Sequence, residues 1–389
     1  MSPTRRQFGG VRGRLMATAC ASGLLVGAGS AEMRVAGSDA PITLEPVERM
    51  TEHGPIRGWA ATIDLSDPAI DVVVSDIDGD ADLDDADVEI VEGAEVILTP
   101  MDSFVTRTGV HLAFNANFFS WKEDAEGNKT QADIIGLSVS DGRIYSERRE
   151  ATDPVLILSK AKHGFRGDTE RTSARVDALR SDSDFPVASA VGDGEAEYWK
   201  IDVVAGIGPS GTSDVPGTLL VQDGENLGET ARVAPTKRHP RTAAGVSEDG
   251  TMLYVLVIDG RQIGHSIGAT LPEMADLLIE MGADDAVALD GGGSSSIIGR
   301  ARLMPEHLRA LADPDGDGWV TNRPSDGRYR PIANQVGIRW AEAGEYEGPP
   351  AFIPGTADVW SEGAGAISGG ASVGSEGPGG STGSKQESP

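Results

Sequence analysis

Met252-Leu253-Tyr254-Val255-Leu256-Val257-Ile258 decides the fold. A short run that is apolar at nearly every position, with no alternation to give it a wet face, reads as a strand buried on both sides. Such a strand is central in its sheet. Its upstream neighbour begins at Thr242 and is joined to it by the turn Glu248-Asp249-Gly250. Downstream, Leu271-Pro272-Glu273 opens a helix: Pro272 suits a first turn, and Met274, Leu277, Leu278 and Met281 recur at helical spacing. Gly282 ends it, and Ala286-Val287-Ala288-Leu289 follows as a short strand.

Further out, Gly58 to Leu65 and Ile70 to Val74 alternate like strands, and Val110 to Phe114 is another. Between Thr99 and Arg148 the pattern is strand, loop, strand. Ile134 to Ser140, the turn Asp141-Gly142 and Arg143-Ile144-Tyr145 form a hairpin signal. Strand-like pieces fill residues 153–204, a Gly/Pro/Ser-rich stretch runs from Gly206 to Gly217, and the strand Thr218 to Val221 follows. Gln335 to Trp340 supplies a last strand that closes the sheet. The expected class is α+β, a mixed and mainly β-sheet core with a few flanking helices in a single domain. No internal repeat is present.

The ends read differently. Thr4-Arg5-Arg6-Gln7-Phe8 is a twin-arginine pattern, followed by an apolar small-residue run from Leu15 to Ala28 and by Gly29-Ser30-Ala31, which suits cleavage after Ala31. Residues 1–31 are therefore expected to be an export signal, placing the mature chain in a bacterial periplasm or outside the cell, with no stable membrane insertion after cleavage. The only cysteine, Cys20, lies inside that segment, so the mature chain forms no disulfide and offers no thiolate. Residues 32–94 are expected to be N-terminal strands and an acidic loop packing on the core, and 95–342 the main domain. Residues 343–389 read as a Gly/Ser-rich tail with almost nothing to bury.

The net charge of −28, from 33 basic and 61 acidic residues, repels nucleic acid and anionic membranes, which excludes both as partners. A site for an anionic ligand must then be cationic locally or rich in N–H groups. The oligomeric state is not legible. The aspartates between Asp76 and Asp87 read first as a solvated loop. Asp313-Pro314-Asp315-Gly316-Asp317-Gly318 opens like a calcium loop, but Pro324 stands where the closing glutamate belongs. Asp313, Asp315 and Asp317 are thus the candidate ligands of a structural Ca2+, and no cofactor is required for chemistry.

Several strand ends carry candidate chemistry. Asp290-Gly291-Gly292-Gly293-Ser294-Ser295-Ser296 follows a buried strand. Three glycines add nothing to a core, and they make sense where backbone turns sharply and approaches a ligand. The serines add hydroxyls and N–H groups suited to an anion, and Asp290 would be a fixed carboxylate facing them. In His239-Pro240-Arg241-Thr242, Arg241 offers a planar charged fork and Thr242 a hydroxyl. Asp259-Gly260-Arg261 ends the central strand. In Asn115-Ala116-Asn117-Phe118-Phe119, amides suit sugar hydroxyls, while the phenylalanines serve as stacking surfaces or as core. His239 and His265 read as positioning or surface residues before bases. No zinc signature and no nucleophile elbow is present.

These loops, in order, resemble the phosphodiester glycosidase family. The resemblance rests on Ile135-Gly136-Leu137 with Asp141-Gly142, Pro240 to Gly245, Asp259-Gly260-Arg261, Gly264 to Leu271, and Leu289 to Ser295. It covers roughly residues 95–340. Departures occur at Ala116 and Asn117, and in the loose Gly206-Ile207-Gly208-Pro209 loop; both bear on sugar specificity. The resemblance implies an exported hydrolase that cleaves the glycosidic bond of sugar-1-phosphate diesters in a glycan or exopolysaccharide, of a bacterial exopolysaccharide-related branch. A phosphate ester leaves readily, so one carboxylate plus charge-stabilising donors would suffice where ordinary glycosidases need two acids. Under that reading Arg241, Thr242, Gly291, Gly292, Gly293, Ser294 and Ser295 hold phosphate. Asp290 is the first choice for nucleophile or base and Asp259 the second, while Asn115, Asn117 and Arg261 hold the sugar or orient the acids. The rival readings are a glycan-binding envelope protein without turnover and a metal-dependent phosphodiesterase.

Overall fold

The strand Met252–Ile258 lies inside a seven-stranded antiparallel sheet. Its order is Ile42–Thr51, Gly54–Asp64, Met252–Ile258, Arg241–Val246, Asp285–Ala288, Leu219–Gln222 and Glu225–Asn226. This computed structural model describes residues 40–82, 88–147, 153–163, 169–178, 200–208, 217–312 and 318–341. The export signal 1–31, Asp84, Asp85 and Asp87, the calcium-loop aspartates Asp313, Asp315 and Asp317, and the tail 343–389 lie outside the described residues.

Leu253, Val255 and Val257 face the principal core beside Trp59, Ala244 and Val287. The helix Leu271–Met281 packs on the sheet and buries Met274, Leu277, Leu278 and Met281. Thr270 accepts from the Glu273 N–H while the Glu273 carboxylate accepts from the Thr270 N–H. This reciprocal cap satisfies donors that a helix start leaves orphaned. The N-terminal strand Gly54–Asp64 is hydrogen-bonded along Met252–Ile258, which integrates residues 42–64 into the main sheet.

A second, five-stranded sheet runs Trp319–Thr321, Ile297–Arg300, Leu112–Asn115, Gln335–Trp340, Ile70–Val74. Its Ile297, Leu112, Phe114, Val336, Ile338 and Val72 enter the same core, so the two sheets close on each other. A third sheet, built on Pro154–His163, Thr169–Ala178, Lys200–Ala205, Ser138–Ser140 and Arg143–Ser146, adds Leu156, Leu158 and Val204 to it. The small fourth sheet is Val96–Ile97, Gln131–Ile134 and Phe119–Lys122. The hairpin at Asp141-Gly142 turns with φ of 47° and 81°, as such a two-residue turn requires.

The class is the expected one, mainly β with few helices. One element differs from the reading of residues 99–148: Met101–Thr108 is a helix. Met101, Phe104, Val105 and Thr108 form its buried stripe, and Gly109 ends it at φ 68°. The segment is too short, and too rich in β-branched Val105, Thr106 and Thr108, for local preference to announce a helix. Packing against the second sheet decides it.

Candidate active site

The loop Gly291 to Ser296 passes from one sheet to the other, leaving Asp285–Ala288 of the first and entering Ile297–Arg300 of the second. Two buried asparagines fix its ends. Asn115 donates from Nδ2 to the Asp290 carbonyl (2.7 Å), and its Oδ1 accepts from Thr242 Oγ1 (2.7 Å) and from the Ser296 N–H (3.0 Å). Asn322 accepts from the Ile297 N–H (2.9 Å) and donates to the Ser295 carbonyl (3.1 Å) and to Asp259 Oδ1 (2.9 Å). Asn117 makes a third knot farther out. Its Nδ2 donates to the carbonyls of Ile135 and Leu137, and its Oδ1 accepts from Ala205 N–H and Asn334 Nδ2. Thr242, Asn115 and Asn117 therefore spend these polar atoms on the protein itself.

Each glycine of the loop lies near an arginine. A Cβ on Gly291 would stand 3.9 Å from Arg241 Cδ, and one on Gly292, whose φ is +67°, would stand 3.3 Å from Arg261 Nη2. On Gly293 it would fall 1.9 Å from Arg330 Nη2 and 2.5 Å from Asp326 Oδ2. Gly293 thus admits a guanidinium against bare backbone, which any side chain there would displace, while Gly292 leaves Arg261 close room.

Asp290 stands at the head of this loop, partly open to solvent, and its Oδ1 accepts from the Gly291 N–H at 2.8 Å. Burial pushes its pKa up to about 6, against the lowering effect of the Ser294 hydroxyl, the Gly291 N–H and the Arg330 charge. That hydroxyl lies near enough to act on the carboxylate but makes no hydrogen bond of ordinary geometry. Ser294 Oγ and Ser295 Oγ are both buried without a partner. Buried hydroxyls left unsatisfied carry a free-energy penalty that a ligand oxygen in the loop would relieve. The N–H groups of Gly291, Gly292, Ser294 and Ser295 already donate within the protein.

The cations are unevenly neutralised. Arg330 is bonded twice to Asp326 Oδ2, at 2.9 and 2.7 Å. Arg241 is buried and, among the described residues, donates only to carbonyls, those of Ala269, Val233, Ala234 and Lys237. Desolvation, then the charge of Arg261, brings its pKa down to about 10. Among the described residues neither Arg241 nor Arg261 has a carboxylate partner. Arg261, exposed and at φ 60°, reaches His239 Nδ1 at 3.4 Å. His239 is held below the usual imidazole range by burial first, then by Arg241, Arg261 and Lys237. Despite the acidic chain, this flank of the loop is locally positive.

Asp259, at the end of the central strand, is almost wholly buried. Its Oδ2 meets His265 Nε2 at 2.8 Å, and its Oδ1 accepts from Asn322 Nδ2 and from the Arg323 N–H. Burial raises its pKa and those partners oppose the rise. Asp259 and His265 are thereby linked through Asn322 to the loop that carries Asp290. Elsewhere, Asp76, Asp80 and Asp82 bring ligand oxygens within 4.8 Å of one another. Arg107 already bonds Asp80 and the adjacent Asp78.

Asn322, Arg330, Asp326 and Trp121 were not singled out in the sequence. Asn322 had a usable signal, since it directly follows the short strand Trp319-Val320-Thr321, as Asp259 directly follows the strand ending at Ile258. Arg330 had none, because the glycine it covers lies in another part of the chain.

The family model described as phosphodiester glycosidase matches residues 108–339, more than half of the chain. The SPbeta prophage-derived uncharacterized protein YomE of Bacillus subtilis (strain 168) is 45% identical over 58 residues, covering 15% of this chain and 9% of that protein. The chain thus spans under a tenth of that relative's length. Among solved structures, the catalytic domain of zebrafish N-acetylglucosamine-1-phosphodiester alpha-N-acetylglucosaminidase, auto-inhibited by its pro-peptide, is 14% identical with a TM-score of 0.43. The match covers 78% of this chain and 85% of that one. A hypothetical protein from Synechocystis is 15% identical with a TM-score of 0.43, over 77% and 62% of the respective chains.

Proposed function

The chain belongs to the phosphodiester glycosidase family, and on that premise we propose that it hydrolyses the glycosidic bond of sugar-1-phosphate diesters, with Asp290 as the reacting carboxylate. The observation that carries the reading is Asp290, its pKa raised to about 6, in a loop with two unpartnered buried hydroxyls and a positive flank. Above that pH the carboxylate acts as nucleophile at C1 or as base toward water. The C1–O bond breaks, its electron pair leaves with the phosphate, and water supplies the hydroxyl and proton. Arg261, the Ser294 and Ser295 hydroxyls and the field of Arg241 stabilise the departing charge in a partly dry site, where such donors are strongest. Asp259 and Asn115 act by position, since their oxygens are occupied. The natural substrate would be a glycan or exopolysaccharide carrying such diesters, met after twin-arginine export in the periplasm or outside the cell. Any calcium at Asp313, Asp315 and Asp317 would be structural.

Turnover of a panel of sugar-1-phosphate diesters by the wild type, Asp290→Asn and Arg261→Ala tests this, run in 18O-labelled water. The expected outcome is label in the sugar, a loss of about 10²–10⁴-fold in kcat for Asp290→Asn, and a weaker loss for Arg261→Ala. Label in the phosphate means P–O cleavage and refutes the reaction. Undiminished turnover in both variants removes the residue assignments, and tight binding without turnover leaves a glycan-binding protein.

A further inference from the structure

The loop has two unlike flanks, and the proposed reaction assigns an occupant to only one. Beside Gly291 and Gly292 stand Arg241 and Arg261, without carboxylate partners among the described residues, which suits phosphate. Beside Gly293 the guanidinium of Arg330 is neutralised by two bonds to Asp326, so this flank carries no net charge. The same guanidinium carbon lies 5.7 Å from the ring centroid of Trp121. Trp121 belongs to the strand Phe119–Lys122, which among the described residues pairs with Gln131–Ile134 alone and so forms a sheet edge. Its side chain is braced by Phe119, edge-on at 5.6 Å and 87°, yet it remains 48% exposed.

A large aromatic half open to water, touched by Phe119 and by the arginine that covers Gly293, serves contact rather than packing. The apolar C–H face of a pyranose ring fits the exposed part of an indole, and its hydroxyls fit the Arg330–Asp326 pair beside it. Asp290 precedes both flanks in chain order and feels the charge of Arg330, the guanidinium of the neutral flank. With phosphate on the positive flank and C1 at Asp290, the sugar that C1 belongs to falls on the neutral, aromatic one.

We infer that Trp121, braced by Phe119 and with the Asp326-paired guanidinium of Arg330 over part of its ring, is the platform on which the substrate's C1-bearing pyranose stacks. The inference deepens the proposed reaction and rests on it for the placing of C1.

The test separates the two. Wild type, Trp121→Ala and Trp121→Phe are titrated with neutral hexoses and N-acetylhexosamines by isothermal titration calorimetry, the wild type also by tryptophan fluorescence, and with inorganic phosphate by competition against turnover. Thermal midpoints verify folding, which substitution of a half-exposed residue should leave intact. At least one sugar should bind the wild type and perturb its fluorescence, weaken tenfold or more in Trp121→Ala and recover to within about threefold in Trp121→Phe. Phosphate inhibition should be unchanged. On a sugar-1-phosphate diester the alanine variant should raise KM far more than it lowers kcat. Sugar affinity and KM unmoved in Trp121→Ala, or no sugar binding by an active wild type, overturns the platform while leaving the Asp290 chemistry standing. Sugar binding that depends on Trp121, in a protein that turns over no diester, supports the platform and sinks the reaction instead.

Discussion

Replacing Asp290 by Asn should cut kcat by about 10²–10⁴-fold and stabilise the protein. The carboxyl pKa is 3.8 in an unfolded chain and about 6 in the fold, mainly because burial disfavours the charged form. Folding thus takes up a proton between those values, and stability present at pH 4 is lost as pH rises through 6. Each pKa unit is worth about 1.4 kcal/mol, so the full shift corresponds to about 3 kcal/mol at pH 8. Solvent reaching the partly open carboxylate reduces this to roughly 1.5–3 kcal/mol. An amide has no charge to desolvate and can still accept from the Gly291 N–H. Urea unfolding of both proteins from pH 4 to pH 8 is the assay. The variant should match the wild type near pH 4 and exceed it progressively up to about pH 7, with no further gain beyond. A difference that is flat across that range, or a variant less stable at pH 8, would show that the carboxylate is solvated or fully compensated, and the electrostatic reading would fall.

Other consequences are open to measurement. Wild-type kcat/KM on an active diester should rise with pH through about 6 as Asp290 ionises; a profile falling through that region would make it an acid instead. Gly293→Ala must displace Arg330, a flexible side chain, so kcat/KM should drop at least tenfold while stability changes by under about 1 kcal/mol. Asn322→Ala removes three buried hydrogen bonds, one to a carboxylate, and should cost about 3–5 kcal/mol in chemical denaturation. Gly58→Ala would place a Cβ 2.1 Å from the Val257 carbonyl oxygen in the main sheet, and expression should yield little folded protein.

Much of the fold was legible because it depends on local pattern. The uniform apolarity of Met252 to Ile258 required two covered faces, and the structure supplies a core on one side of the sheet and the helix Leu271–Met281. Pro272 and Gly282 bracket that helix where their backbone preferences put them. The short helix Met101–Thr108 was not legible, since its stability comes from contacts with a distant sheet. The candidate site divides in the same way. Asp290 with its three glycines stood out, because glycine in a row has no packing purpose.

The sequence by itself determined the elements, the acid at the strand end and the need for bare backbone beside it, all properties carried within a few residues. Only the tertiary structure decided which donors are spoken for. It turned Asn115, Asn117 and Thr242 inward, gave Arg241 to backbone carbonyls, and brought Arg330 and Trp121 to a loop distant in sequence. A hydrogen-bonding atom has the same chemistry whether it faces a ligand or a carbonyl; folding chooses between them by burial, and burial is a property of the whole chain.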